Sequence, residues 1–176
     1  MLDCNELEDY LLRWLAPLGP EPNAEIFLVG GAVRDYLLGR KIKDCDLICA
    51  EAQKVAEKLT QIWSTSLVCL EKQAKATCYR VFDPKECGRF LDIAPMCGKE
   101  LHTDLKARDF SINALAMEIS GNGLGRVVDP SKGITDLKQK RVRMTSAKAL
   151  DNDPLRILRA FRFSSQLGFE IEFKTK

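Results

Sequence analysis

The chain has 176 residues, with 27 lysines and arginines against 25 acidic residues and a formal net charge of +2. That near balance excludes a strong whole-chain field for nucleic acid, so an RNA partner must be held by local basic faces. The length suffices for one full domain and the beginning of another, and no apolar stretch approaches the roughly 20 residues that span a bilayer.

In chain order, Leu7, Leu11, Leu12, Trp14 and Leu15 form a helical stripe, stopped by a short linker at Pro17, Gly19, Pro20 and Pro22. Strand-like runs follow at 25–29, 45–49, 66–70, 77–82 and 89–94, with helices at 31–38 and 52–63 between the first three. A further helix is expected to start near Asp109 and carry Ile112, Leu115 and Ala116 inward, before a Gly121-Asn122-Gly123 turn. Leu155, Leu158, Phe161 and Leu167 behind Asp153-Pro154 read as a capped amphipathic helix ending at Gly168. The fold class is therefore α/β, a mixed sheet flanked by helices. Residues 1–145 form a head, and 146–176 the first helices of an all-α domain. No internal repeat interrupts this order.

The opening MLDCNELEDY lacks the basic start of a signal peptide, so the cytoplasm is the expected compartment and no membrane partner is expected. Seven cysteines (4, 45, 49, 69, 78, 87, 97) contain no Cys-x-x-Cys pair and read as reduced core residues. The single histidine, His102, has no histidine partner and reads as a surface or satisfied residue rather than a zinc ligand or general base.

The most informative stretch is LVGGAVRDYLLGRKIKDCDLICA, residues 28–50. Gly30 and Gly31 join a strand to a helix without Cβ atoms, which lets a phosphate approach the N–H groups at the positive helix end. Arg34, three residues on, lies on the same side and can fork onto the same phosphates. Asp44 and Asp46 alternate with Cys45 and Leu47, so the strand period points both carboxylates to one face. Adjacent like charges are costly unless a cation sits between them, and hard oxygen ligands select Mg²⁺. Singly, a Gly-Gly is more often a tight turn and an Asp-x-Asp a solvated strand end; their joint order and spacing favour a phosphate site facing a metal site.

This string resembles the motif of class II tRNA nucleotidyltransferases and bacterial poly(A) polymerases, members of the DNA polymerase β-like nucleotidyltransferase superfamily. Three later segments match in the same order: KARDFSINALAM (106–117) resembles the ribose-recognition motif, VVDPSKGITDLKQKRVR (127–143) the hinge, and NDPLRILRAFRFSSQLGF (152–169) the nucleotide-selecting motif. The resemblance implies a template-independent RNA nucleotidyltransferase that adds CMP or AMP, from CTP and ATP, to the 3′ end of tRNA. It further implies that Asp44 and Asp46 hold two Mg²⁺ ions and that Gly30, Gly31, Arg34, Arg108 and Asp109 bind the nucleotide. Asp153 accepts and Arg156 donates hydrogen bonds, a pair that suits the mixed edge of cytosine or adenine, and Arg159 and Arg162 continue the same side of the helix. No protein nucleophile is needed. Asp92, in FLDIAP, is a third carboxylate on the sheet, with a ligand and a strand-end role equally open.

Two positions depart from the pattern: Ala107 replaces the first arginine of the ribose motif, and Asn152 replaces the acidic residue before Asp153. The resemblance also implies further helical domains beyond this point, carrying most of the RNA-binding surface. Poly(A) polymerase activity remains an alternative, as does a nucleotide-binding module without catalysis. The intact Asp44-x-Asp46 pair argues against the second.

Overall fold

The computed structural model describes residues 1–18, 25–72, 76–98, 100–120, 123–149 and 153–175. The expected linker at 19–22, the turn residues Gly121 and Asn122, and Asn152 lie outside the described residues.

Helix α1 (Cys4–Leu15) is set by a reciprocal cap: Oδ1 of Asp3 accepts the Asn5 and Glu6 N–H groups at 2.9 Å each, and Glu6 accepts the Asp3 N–H at 2.8 Å. It buries Leu7, Tyr10, Leu11 and Trp14. Strand β1 (Ile26–Val29) leads into α2 (Gly31–Leu37), β2 (Cys45–Cys49) into α3 (Ala52–Trp63), and β3 (Leu67–Lys72), β4 (Ala76–Phe82) and β5 (Phe90–Pro95) follow as three strands. These elements fall within a residue or two of the expected spans.

The next stretch differs from expectation. A short helix α4 (Leu101–Ala107) precedes the ribose motif, the residues after Asp109 form only a 3₁₀ turn (Ser111–Asn113), and β6 (Ala116–Ser120) follows. Ile112, Leu115 and Ala116 are buried as expected, but not by a helix. The run INALAM suits a helix by propensity, yet β1 offers an unpaired edge, and Val29 pairs with Ala116 and Leu28 with Met117. Satisfying that ladder outweighs local preference. Strand β7 (Gly123–Val128), α5 (Gly133–Lys138), β8 (Arg141–Val142), α6 (Leu155–Leu167) and β9 (Glu170–Ile171) complete the order.

Seven strands form one sheet in the order β3-β4-β5-β2-β1-β6-β7, antiparallel except where β2 runs parallel to β5. Alternation along the strands separates two faces. Leu28, Leu47, Leu91 and Ile93 join the large core together with α1 and α3, while Phe27, Val29, Ile48 and Ala116 meet Leu105 of α4 in a smaller cluster. Asp46 shares the face of Ile48 and pairs with Val29, so the carboxylate stands on the thinly covered side of the sheet.

Helix α6 reverses the expected face. Leu155, Leu158 and Phe161 are 66%, 67% and 63% exposed, and the helix instead buries Ala160 and Phe163. Phe163 packs edge-on against Phe110 with centroids 5.8 Å apart, one aromatic contact that decides which side turns inward. Strand β8 pairs in parallel with β9, tying the chain before α6 to the chain after it.

None of the seven cysteines forms a disulfide; Cys45, Cys49 and Cys78 are buried and Cys69, Cys87 and Cys97 exposed. The core reading therefore holds for the first three only. Burial, with Asp46 beside it, pushes the Cys45 thiol up to about 12. His102 is exposed on α4. Among the described residues no helix is long and apolar enough to cross a membrane.

Candidate active site

The junction of β1 and α2 is built on Gly30, whose φ of 72° suits a residue without Cβ. Its N–H donates to the Leu115 carbonyl at 3.1 Å, and its own carbonyl accepts the Arg34 N–H at 3.1 Å. A Cβ here would stand 3.3 Å from Nη1 of Arg108 and 4.0 Å from Oδ2 of Asp46. The missing side chain is thus the space in which a guanidinium and a carboxylate face each other.

Arg34 sits on the cleft wall but is heavily engaged. Nη1 donates to Oδ1 of Asn113 at 2.8 Å, while Nε and Nη2 fork onto Asp35 at 3.0 and 2.9 Å. Its guanidinium lies 5.3 Å from the centre of the Phe163 ring. A phosphate reaching Arg34 would share a group that the fold already orients.

Asp44 is exposed just before β2, and Asp46 is half-buried within it. Asp92 pairs with Asp46 in the β2–β5 ladder, but both its oxygens accept from Arg80 at 2.8 Å. Among the described residues no group of three or more acidic, histidine or cysteine side chains could hold a metal. Two hard carboxylates on one face of an open cleft nevertheless fit Mg²⁺, which binds through one or two carboxylates plus substrate phosphates and water.

Arg108, Asp109 and Asn113, with α6, supply more of the lining. Asp104, four residues before Arg108 on α4, takes its Nε and Nη2 at 3.0 and 2.9 Å and also accepts the Cys97 N–H at 2.8 Å. Asp109 is buried; Oδ1 accepts the Phe110 N–H at 2.8 Å and Oδ2 accepts from Arg159 at 2.7 Å. Arg156 donates to the carbonyls of Ala149 and Ala107 at 3.1 and 3.3 Å, with Asp153 4.0 Å away. Oδ1 of Asp153 accepts the Leu155 N–H at 3.0 Å, which starts α6. Arg162 lies 4.9 Å from the centre of the Phe163 ring.

Of the sequence-derived candidates, Gly30, Gly31, Arg34, Asp44, Asp46, Arg108, Asp109, Asp153, Arg156, Arg159 and Arg162 line one cleft of about 870 Å³, and Asp92 is not among its lining residues. Arg40, Lys41 and Lys43 add a basic rim between α2 and β2. Sequence reasoning missed Asp104, and quoted Asp35, Asn113 and Phe163 only as parts of motifs. The i,i+4 spacing of Asp104 to Arg108 was a usable signal. Phe163 carried none, since its role depends on how α6 docks.

Residues 26–143 match the poly A polymerase head-domain family. The chain belongs to that family. A CC-adding tRNA nucleotidyltransferase of Shouchella clausii is 41% identical over 150 residues, an alignment that covers 84% of this chain and 36% of that protein. A CCA-adding enzyme solved with CTP superposes with a TM-score of 0.82 at 34% identity, covering 94% of this head-domain chain and 40% of the other. The Thermotoga maritima CCA-adding enzyme, solved in complex with tRNA, gives a TM-score of 0.80 at 35% identity over 93% and 38% of the two chains. The chain spans little more than a third of the length of the first of these relatives.

Proposed function

We propose that this head domain performs template-independent nucleotidyl transfer, adding CMP and AMP from CTP and ATP to the 3′ end of tRNA. The observation that carries the reading is a single cleft lined by Asp44 and Asp46 together with Arg108, Arg156, Arg159 and Arg162. Paired carboxylates in one cleft with a set of guanidiniums suit a metal-bound triphosphate and little else of comparable size. The relatives solved with CTP and with tRNA support the same substrate classes.

Mg²⁺ held by Asp44 and Asp46 would supply charge neutralisation on the triphosphate and a lowered pKa for the attacking RNA hydroxyl. The chain's own residues do the positioning. Asp104 orients Arg108, Asp109 orients Arg159, and the Ala107 and Ala149 carbonyls hold Arg156 beside Asp153. A guanidinium fixed before substrate arrives loses less freedom on binding it. Asp153 as acceptor and Arg156 as donor then address the base edge.

The deciding experiment incubates the whole gene product with tRNAs ending before, within and after CCA, plus a non-tRNA oligonucleotide, and sequences the products. Addition confined to tRNAs with an incomplete end supports the reading. Long adenylate tails on every RNA would replace it with polyadenylation, and unextended RNA with retained ATP binding would leave a binding module.

Two substitutions test the roles separately. Arg34→Ala removes charge-assisted bonds and should raise KM for CTP and ATP alike by about tenfold to a hundredfold, while the ratio of the two stays constant. Steady-state incorporation checks it, and an altered ratio at unchanged KM contradicts the phosphate role. Asp153→Ala and Arg156→Ala should each relax exclusion of UTP and GTP by about tenfold to a hundredfold, one bidentate contact's worth of discrimination. Competitive incorporation from all four nucleotides decides it, and unchanged selectivity in both variants removes base reading from α6.

A further inference from the structure

Arg80, Asp92 and Asp46 form one register row across β4, β5 and β2, and residues paired across strands share a face of the sheet. The row starts on β4, one strand in from the β3 edge, and runs to the carboxylates of the cleft. Arg80 closes bidentately on both oxygens of Asp92 at 2.8 Å. Its guanidinium also stacks 3.6 Å from the centre of the Phe90 ring, two residues before Asp92 on the same face. A cation gripped by a carboxylate fork and an aromatic plane is held more firmly than an ordinary exposed pair, and the Asp92 side chain is only 12% exposed. The hydrogen bonds that Arg80 donates to Asp92, with the fields of Asp92 and Asp44, raise the basicity of Arg80.

We propose that Arg80 is a positioning residue that withholds Asp92 from the divalent-cation site of Asp44 and Asp46, and thereby sets a low cation affinity in that site. This rests on the reading of the Asp44-Asp46 pair as a cation site. A carboxylate on the strand beside Asp46 is placed to become a further oxygen ligand, and added ligand charge tightens divalent binding. While Arg80 holds it, Asp92 contributes neither a ligand nor net charge. A site kept weak in this way gains its full affinity only with the phosphate oxygens of a nucleotide.

The test titrates Mn²⁺, as a spectroscopic stand-in for Mg²⁺, into the 176-residue chain and counts free ion by electron paramagnetic resonance, with thermal melts run alongside. Asp46→Asn should weaken binding, and its failure to do so overturns the cation site itself and this proposal with it. Given that weakening, Arg80→Met should tighten Mn²⁺ binding by about tenfold, as an added carboxylate ligand does. Arg80→Met combined with Asp92→Asn should return it to the wild-type value, and Arg80→Lys, which keeps the cation, should stay near wild type. Unchanged or weaker binding in folded Arg80→Met overturns the role of Arg80. Asp92→Asn alone, nearly isosteric and independent of whether Arg80→Met folds, leaves the Arg80 charge uncompensated and should weaken Mn²⁺ binding far less than Asp46→Asn does. A loss matching that of Asp46→Asn would mean Asp92 is already a ligand and would overturn the proposal.

Discussion

Asp44→Ala and Asp46→Ala each lower nucleotide incorporation by the whole gene product by about a thousandfold or more, several kcal/mol of transition-state stabilisation. Phosphoryl chemistry asks the protein for positioning and charge compensation rather than for a nucleophile, so losing a ligand of the compensating ion removes most of what the site supplies. Stability should move little by comparison. Asp44 is exposed and Asp46 half-buried on the thinly covered face, and neither belongs to the hydrophobic clusters that hold the sheet. Incorporation assays with matched thermal melts separate the two effects. Near-normal turnover in either variant, or a collapse of the melt that accounts for the lost activity, would remove the metal role.

Much of the fold was legible because its elements follow simple periodicities. Strands β1 to β5 are short β-branched or apolar runs bounded by turns, and α1 and α3 carry one apolar stripe each, so local pattern and tertiary demand agree. The failures lie where they disagree. INALAM has helical composition, but the unpaired edge of β1 needs a strand, and Ala116 and Met117 supply it. On α6 the more apolar stripe, Leu155, Leu158 and Phe161, faces solvent because a single edge-on contact from Phe163 to Phe110 fixes the helix on its other side. Amphipathicity reports that a helix has faces; it does not say which neighbour claims each.

The site was legible for a different reason. Its residues lie at fixed spacings within short motifs, and the cleft gathers them from four separate parts of the chain. The sequence could not reveal how occupied they already are. Asp109 and Arg159 hold each other, Arg34 is shared between Asp35 and Asn113, and Asp92 is closed by Arg80. Those pairings depend on register across the sheet and on the docking of α6, information carried by long-range contacts. Asp92 shows the consequence: strand alternation puts it on the right face, and only the register reveals the arginine beside it.

Gly133→Ala should be among the most destabilising single-methyl additions in the chain. A Cβ at Gly133 would lie 2.2 Å from the Ser111 carbonyl oxygen, 2.9 Å from its carbon and 3.1 Å from Cδ2 of Leu115. Backbone cannot swing aside as a side-chain tip can. The surroundings are also pinned: Ser111 donates from its hydroxyl to Asp136 at 2.6 Å and from its N–H to the Arg143 carbonyl at 2.8 Å, while Asp129 accepts the Gly133 N–H at 2.7 Å. Overpacking of this kind costs about 1–3 kcal/mol or more, which lowers the Tm of a domain this size by roughly 3–10 °C. The strain also reaches the cleft. The 3₁₀ turn that begins at Ser111 ends at Asn113, whose Oδ1 fixes Arg34, so the folded fraction should bind CTP and ATP more weakly with their ratio intact. Gly39→Ala is the control, because a Cβ there meets nothing within 4 Å and only the φ of 62° is strained, a cost of about 1–2 kcal/mol. Melting curves and nucleotide KM values for the two variants give the answer. A Gly133→Ala protein no less stable than Gly39→Ala, with wild-type KM, would show that α5 does not brace the Ser111–Asn113 turn, and the coupling from α5 to Arg34 would have to be abandoned.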